Sequence, residues 1–119
     1  MRSKRLGVET GFLVPLREDK TIGNGKLHPV NRWQWLGRVL RESYGGFTVM
    51  TAPLSGIYVD PDTGQSVSDE SREYRIAISR RSVAKLRQFL GREVASVFVQ
   101  KYIYFVVGID AELVENANL

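Results

Sequence analysis

The apolar residues of this chain switch period twice, and the switches set an order of elements. Over residues 6–16 they alternate. Val8, Thr10, Phe12, Val14 and Leu16 face one way, and Gly7, Glu9, Gly11, Leu13 and Pro15 the other. Period two marks a half-buried strand. Gly7 and Gly11 leave its second face with little bulk, so another group can pack closely there. Over residues 29–43 the spacing becomes three and four. Trp33, Leu36, Val39 and Leu40 form a stripe with Trp35 beside it, and Arg32, Gln34, Arg38, Arg41 and Glu42 cover the rest. That is an amphipathic helix, with Asn31 expected as its N-cap and Gly45-Gly46 as its stop.

The pattern then returns to extended chain. Residues 47–51 read as a second strand, interrupted at Ala52-Pro53 because proline removes a ladder donor. Residues 57–59 resume extended structure. Asp60-Pro61-Asp62-Thr63-Gly64 is a tight turn, and residues 74–79 alternate as a third strand. Residues 52–71 therefore form an arm longer than a simple turn requires.

A second helix starts at Ser79 or Ser82. Val83, Leu86, Phe89, Leu90, Val94, Val97 and Phe98 keep the helical spacing, which carries the helix through Gly91 to near Phe98. Glycine costs about 1 kcal/mol there against alanine. The competing reading ends the helix at Gly91 and gives residues 96–99 to a strand. Tyr102–Val107 is a strand apolar on both faces, Gly108 ends it, and residues 112–115 read as a short last strand.

The order β-α-β-β-α-β predicts a single α+β domain over residues 1–119, with a loose arm at 1–5 and a short tail at 109–119. It is expected to be ferredoxin-like, with both helices on one face of an antiparallel sheet. A fourth strand apolar on both sides conflicts with a wetted opposite face. Either a second subunit or the 52–71 arm must cover that face. The expectation is a homodimer through the sheet face or a strand edge.

Composition narrows the chemistry. The 119 residues contain no cysteine, which excludes disulfides, thiol nucleophiles and cysteine-ligated metals. The basic N-terminus is followed by no apolar h-region, and no apolar run is long enough to cross a bilayer, so a soluble cytoplasmic protein is expected. A net charge of +4 permits nucleic-acid binding without implying it.

Several short patterns resemble those of a family of small bacterial proteins of unknown function. They are Trp33 early in a helix, then Gly46, Thr48 and Val49 (G-x-T-V), Gly56 with Tyr58 (G-x-aromatic), the turn glycine Gly64, Glu70 (E-x-S), and Phe98 with Gln100 (F-x-Q). The resemblance spans roughly residues 8–108. It departs at Tyr58, where tryptophan is expected, at Ser71, which directly follows Glu70, and at Val99, where the pattern has glycine. It implies a shared order of elements and no activity.

Candidate sites were weighed against ordinary structure. Asp60-x-Asp62-x-Gly64-x-Ser66 fails as a calcium loop, because Gly64, Gln65 and Ser71 stand at ligand, glycine and glutamate positions; it reads as a turn. The single histidine, His28, excludes a multi-histidine metal site, and no metal or cofactor is expected. Asp69, Glu70 and Glu73, near Arg72 and Arg75, read either as acid/base carboxylates or as ordinary ion pairs. A ligand pocket between sheet and arm would use Tyr58 and Gln100 to orient the ligand, Glu70 as base, Arg75 for an anion, and Tyr102. Arg80, Arg81, Lys85 and Arg87 offer a phosphate-binding face, or simply the polar side of a helix. The aromatic signature of RNA-recognition strands is absent. Three functions follow: an assembly module, a small-ligand binder or enzyme, and a nucleic-acid binder.

Overall fold

Phe12, Val14, Ile76, Ile103 and Phe105 all point to one side of the chain's sheet, and that side carries the helices. The computed structural model describes residues 2–119. Its elements are β1 (Val8–Pro15), α1 (Val30–Tyr44), β2 (Thr48–Val59), β3 (Ser66–Ile78), a 3-10 turn (Arg80–Ser82), α2 (Val83–Phe89), a π-helical turn (Leu90–Val94), α3 (Ala95–Val97), β4 (Tyr102–Val107) and β5 (Asp110–Glu115). The fold is α+β, with five strands in one antiparallel sheet ordered β2-β3-β1-β4-β5.

The core lies between this face and the helices. Phe12, Val14, Ile76, Ile103 and Phe105 meet Leu36 and Leu40 of α1 and Leu86, Leu90, Val94 and Phe98 of the second helical run, all buried. Each such side chain contributes about 2 kcal/mol of transfer free energy. The Phe12 and Tyr74 rings stack at 5.2 Å, side by side on β1 and β3.

The helical run does pass Gly91, but through a π turn. A Cβ on Gly91 would lie 2.9 Å from the Glu115 carbonyl oxygen, so only glycine lets β5 come this close. The widened turn leaves the Gly91 carbonyl free to accept from the Ala117 backbone N–H at 2.9 Å, which docks the C-terminal tail. Residues 96–99 form no strand.

Two expectations need correction. Pro29, extended at φ −68° and ψ 155°, occupies the N-cap of α1; Asn31 lies inside the first turn and caps nothing. Proline preorganises the entry, so no side-chain cap forms. Ala52-Pro53 also does not break β2. The ladder shifts register between Met50 and Leu54, and β2 is an edge strand, so Pro53 forfeits no ladder bond there.

The 52–71 arm is thus the outer half of a long β2–β3 hairpin. It curls over the sheet face opposite the helices. Its tip is tied to the start of β4: Lys101 Nζ donates to Asp60 Oδ2 at 2.8 Å, and the Tyr102 hydroxyl donates to the Asp62 carboxylate at 3.1 Å. The Leu16 backbone N–H donates to the Glu70 carbonyl at 2.8 Å, extending the β1–β3 ladder to the bend. The arm covers part of the doubly apolar β4.

Candidate functional site

Side chains alternate along a strand, so the register settles which residues face the space beneath the hairpin. β1 supplies Glu9, Gly11, Leu13 and Pro15. β3 supplies Asp69, Ser71, Glu73 and Arg75, and the bent β2 supplies Leu54, Gly56 and Tyr58. β4 and β5 add Tyr102, Tyr104, Val106 and Leu113. These residues line two adjoining cavities of about 360 Å³ each, which share Leu13, Leu54 and Tyr104 and so form one trough. Gly11 sits on its floor. The low bulk of that β1 face leaves room for the trough.

One end is rich in tyrosine. Tyr58, Tyr102 and Tyr104 stand among Leu13, Pro15, Leu54, Ile57 and Leu113, with Asp69 as the carboxylate. Burial raises the Asp69 pKa, and the negative charge of Asp19 raises it further. Burial also pushes the Tyr58 hydroxyl up to about 12, helped by Asp69, Asp19 and Asp60. Tyr58 is therefore a neutral phenol at physiological pH. Asp69 is a carboxylate in a water-poor site, which gains from any cationic ligand.

The other end is charged. Glu9, Glu73 and Arg75 surround Gly11, Val106 and Gly108. Arg75 spends its Nε on Glu73, and both Glu73 and Glu9 raise its pKa.

The structure brings together some of the sequence-predicted residues and separates others. Tyr58, Tyr102 and Arg75 line the trough. Glu70 does not: it follows Asp69 on β3, so its side chain points to the opposite, exposed side of the hairpin. Gln100 is buried and structural, since its Nε2 donates to the Arg17 and Phe98 carbonyls at 2.8 Å each. Tyr102 is partly committed to the hairpin tie. Tyr104 and Glu9 line the trough without having been singled out in the sequence, and Asp69, read there only as one of a run of carboxylates, is the one beside the tyrosines. The signal for Asp69 was the β3 alternation itself: continued back from Tyr74, it puts 69, 71, 73 and 75 on one face.

Elsewhere, Arg80 and Arg81 lie in the 3-10 turn and Lys85 on α2, exposed and without ion pairs among the described residues. Arg87 is different: it is held by Glu112 through two hydrogen bonds, of 2.5 and 3.1 Å. The predicted basic face thus loses one of its four members. Among the described residues no group of three or more acidic or histidine side chains is arranged to hold a metal, and no helix is long and apolar enough to cross a membrane.

No family model and no curated protein matches the chain. Two solved structures do. It shares the fold of a phage SAM lyase. Against that enzyme in complex with S-methyl-5'-thioadenosine, the TM-score is 0.64 at 19% identity, covering 97% of this chain and 94% of the other. Against the apo state the TM-score is 0.64 at 20% identity, covering 97% and 96%. The likeness runs through the hairpin as well as the core, since almost the whole chain is included.

Proposed function

We propose that this chain binds an adenosyl sulfonium of the S-adenosylmethionine type in the hairpin-roofed trough and cleaves it. The carrying observation is the trough itself: a tyrosine-lined cavity with a desolvated carboxylate, Asp69, in a fold whose solved neighbours are named as a SAM lyase. Three tyrosine rings suit a purine by stacking and a sulfonium by cation–π attraction. Asp69 supplies the negative charge that a sulfonium favours. Cleavage is an internal displacement: an oxygen of the substrate's own α-carboxylate bonds to the γ-carbon as the γ-carbon–sulfur bond breaks, the electron pair leaves with sulfur as the neutral thioether S-methyl-5'-thioadenosine, and the four-carbon amino acid departs as its five-membered lactone. Positive charge on sulfur makes that departure easy, so the protein's part is to desolvate and position.

Chromatography of S-adenosylmethionine incubated with the protein is the direct test. The expected product is S-methyl-5'-thioadenosine, with Asp69→Asn lowering its rate at least tenfold. Intact S-adenosylmethionine after prolonged incubation, with no binding of either compound, would end this reading.

The finer fold assignment belongs to the same proposal. The order β2-β3-β1-β4, with the helical crossovers on one face, supports a ferredoxin-like plan extended by β5. A second reading, self-association, is favoured by the free β2 edge, where Ile57 and Val59 are 76% and 60% exposed.

A further inference from the structure

The charged end of the trough lies apart from the tyrosines, in the adjoining cavity. Glu9, Glu73 and Arg75 lie on the face away from the core, Arg75 exposed and Glu73 part-buried. Resting on the reading above, we propose that this end receives a zwitterionic α-amino acid, and that it makes the site selective for ligands carrying one.

Arg75 has five N–H donors in a planar fork, and only its Nε is engaged, by Glu73. Among the described residues its terminal NH1 and NH2 groups make no hydrogen bond or ion pair, which leaves a bidentate face for one carboxylate. Glu9 lies diagonal to Arg75, two residues before Gly11, which pairs with it, and its negative charge raises the arginine's pKa. A ligand ammonium between Glu9 and Glu73, with its carboxylate on Arg75, gives each charged group of the cluster an opposite charge as neighbour. Gly11 helps by leaving the floor open between them: a Cβ there would meet the Tyr74 carbonyl at 3.5 Å and the Arg75 side chain at 4.0 Å.

Charge and length agree with this placement. Glu9, Glu73 and Asp69 outnumber Arg75, so the trough is net negative, whereas an adenosyl sulfonium bearing an amino-acid chain is net positive. Asp69 and Glu73 are four residues apart on β3, about 13 Å along the strand. A nucleoside seated at the tyrosines therefore extends a short aliphatic chain to the Glu9–Glu73–Arg75 end, past Leu13 and Tyr104, which the two cavities share.

Two ligands separate this proposal from the function it rests on. S-adenosylhomocysteine carries the amino-acid chain and has no sulfonium; S-methyl-5'-thioadenosine lacks the chain. Calorimetric titration of both is made with wild-type protein, Arg75→Met and Glu9→Gln. Arg75→Met is expected to weaken S-adenosylhomocysteine at least tenfold and S-methyl-5'-thioadenosine less than twofold, with Glu9→Gln changing the same ligand in the same direction. The unchanged ligand also shows that the variants are folded. Equal losses for both ligands, or none for either, overturn the amino-acid assignment and leave the nucleoside site standing. Wild-type protein that binds neither overturns both.

Discussion

His28 shows how one residue can carry a pH dependence without belonging to the site. Its ring is buried against Trp33 and Phe98, with centroids at 5.6 and 4.9 Å. Arg32 Nη1 lies 2.9 Å from its Nδ1, and a guanidinium only donates, so Nδ1 accepts and the ring is neutral with its proton on Nε2. That Nε2 is buried and has no partner. Burial, then the charge of Arg32, lowers the pKa from 6.5 to about 4, against opposing contributions from the Pro15 carbonyl and Glu18. The folded value lies below the unfolded one, so the unfolded chain binds the extra proton first. Stability is full above about pH 6.5 and falls as pH drops toward 4. The shift corresponds to about 3 kcal/mol at full strength, reduced to about 2 kcal/mol by water around the part-buried ring. Urea midpoints at pH 7.5 and pH 5.5 should therefore fall apart in the wild type and converge in His28→Gln. Equal slopes in both proteins would refute the assignment. His28 stands directly before Pro29, the N-cap of α1, a place that the sequence shows. Its burial was not legible, because Trp33, Phe98 and Arg32 converge on it only in three dimensions. Val99 is a parallel case. Its φ of 51° is rare for a β-branched residue.

At the scale of elements, the β2–β3 hairpin decides whether the trough exists. Its proximal half is welded into the sheet by β1, from Val8 opposite Ile78 to Pro15 opposite Ser71. Its distal half has no strand neighbour beyond its own partner, so the contacts at the tip hold its curl. Asp60 does most there: it accepts from Lys101 Nζ and from the Asp62 backbone N–H, both at 2.8 Å, and these bonds hold its carboxyl below the usual range. Asp60→Ala removes a side-chain bond of the turn and the closer Lys101 contact together, and leaves the tip held from β4 only through Asp62. Hydrogen exchange at residues 54–59 and 66–70 should accelerate roughly tenfold or more, while β1 and β4 amides keep their protection. Ligand binding at the tyrosine end should weaken with it. Acceleration spread evenly over the sheet would mean that the tip is not an independent hinge. β1 was readable from its strong period two, and β4 from a short apolar run of strand length ended by Gly108. The continuation of β2 through Pro53 was not readable, since a bulge on an edge strand leaves no periodic trace. For the same reason Glu70 rather than Asp69 stood out: the face of β3 that looks into the trough is defined only once the hairpin curls.

For the whole molecule, the apolar surface left over matters most. The arm covers only part of the sheet's second face, and Tyr104 and Leu113 remain 43% and 37% exposed. β2 adds a free edge twelve residues long, with Met50, Ile57 and Val59 turned outward. A free edge offers unpaired N–H and C=O groups to any similar strand. Pro53 and the bulge divide this one into two shorter runs, which limits open-ended pairing and favours a closed assembly. A stable interface needs about 800 Å² from each partner, more than the edge alone presents, so the arm's outer side chains must take part. The simplest outcome is a homodimer. Light scattering should then give twice the 13.5 kDa of one chain, and Ile57→Lys should shift it toward the monomer at the same concentration. Ile57 also lines the tyrosine end of the trough, so an assembly through this edge would link ligand affinity to protein concentration. A monomeric mass at all concentrations, with ligand affinity independent of dilution, would remove self-association and leave the trough a site of the single chain.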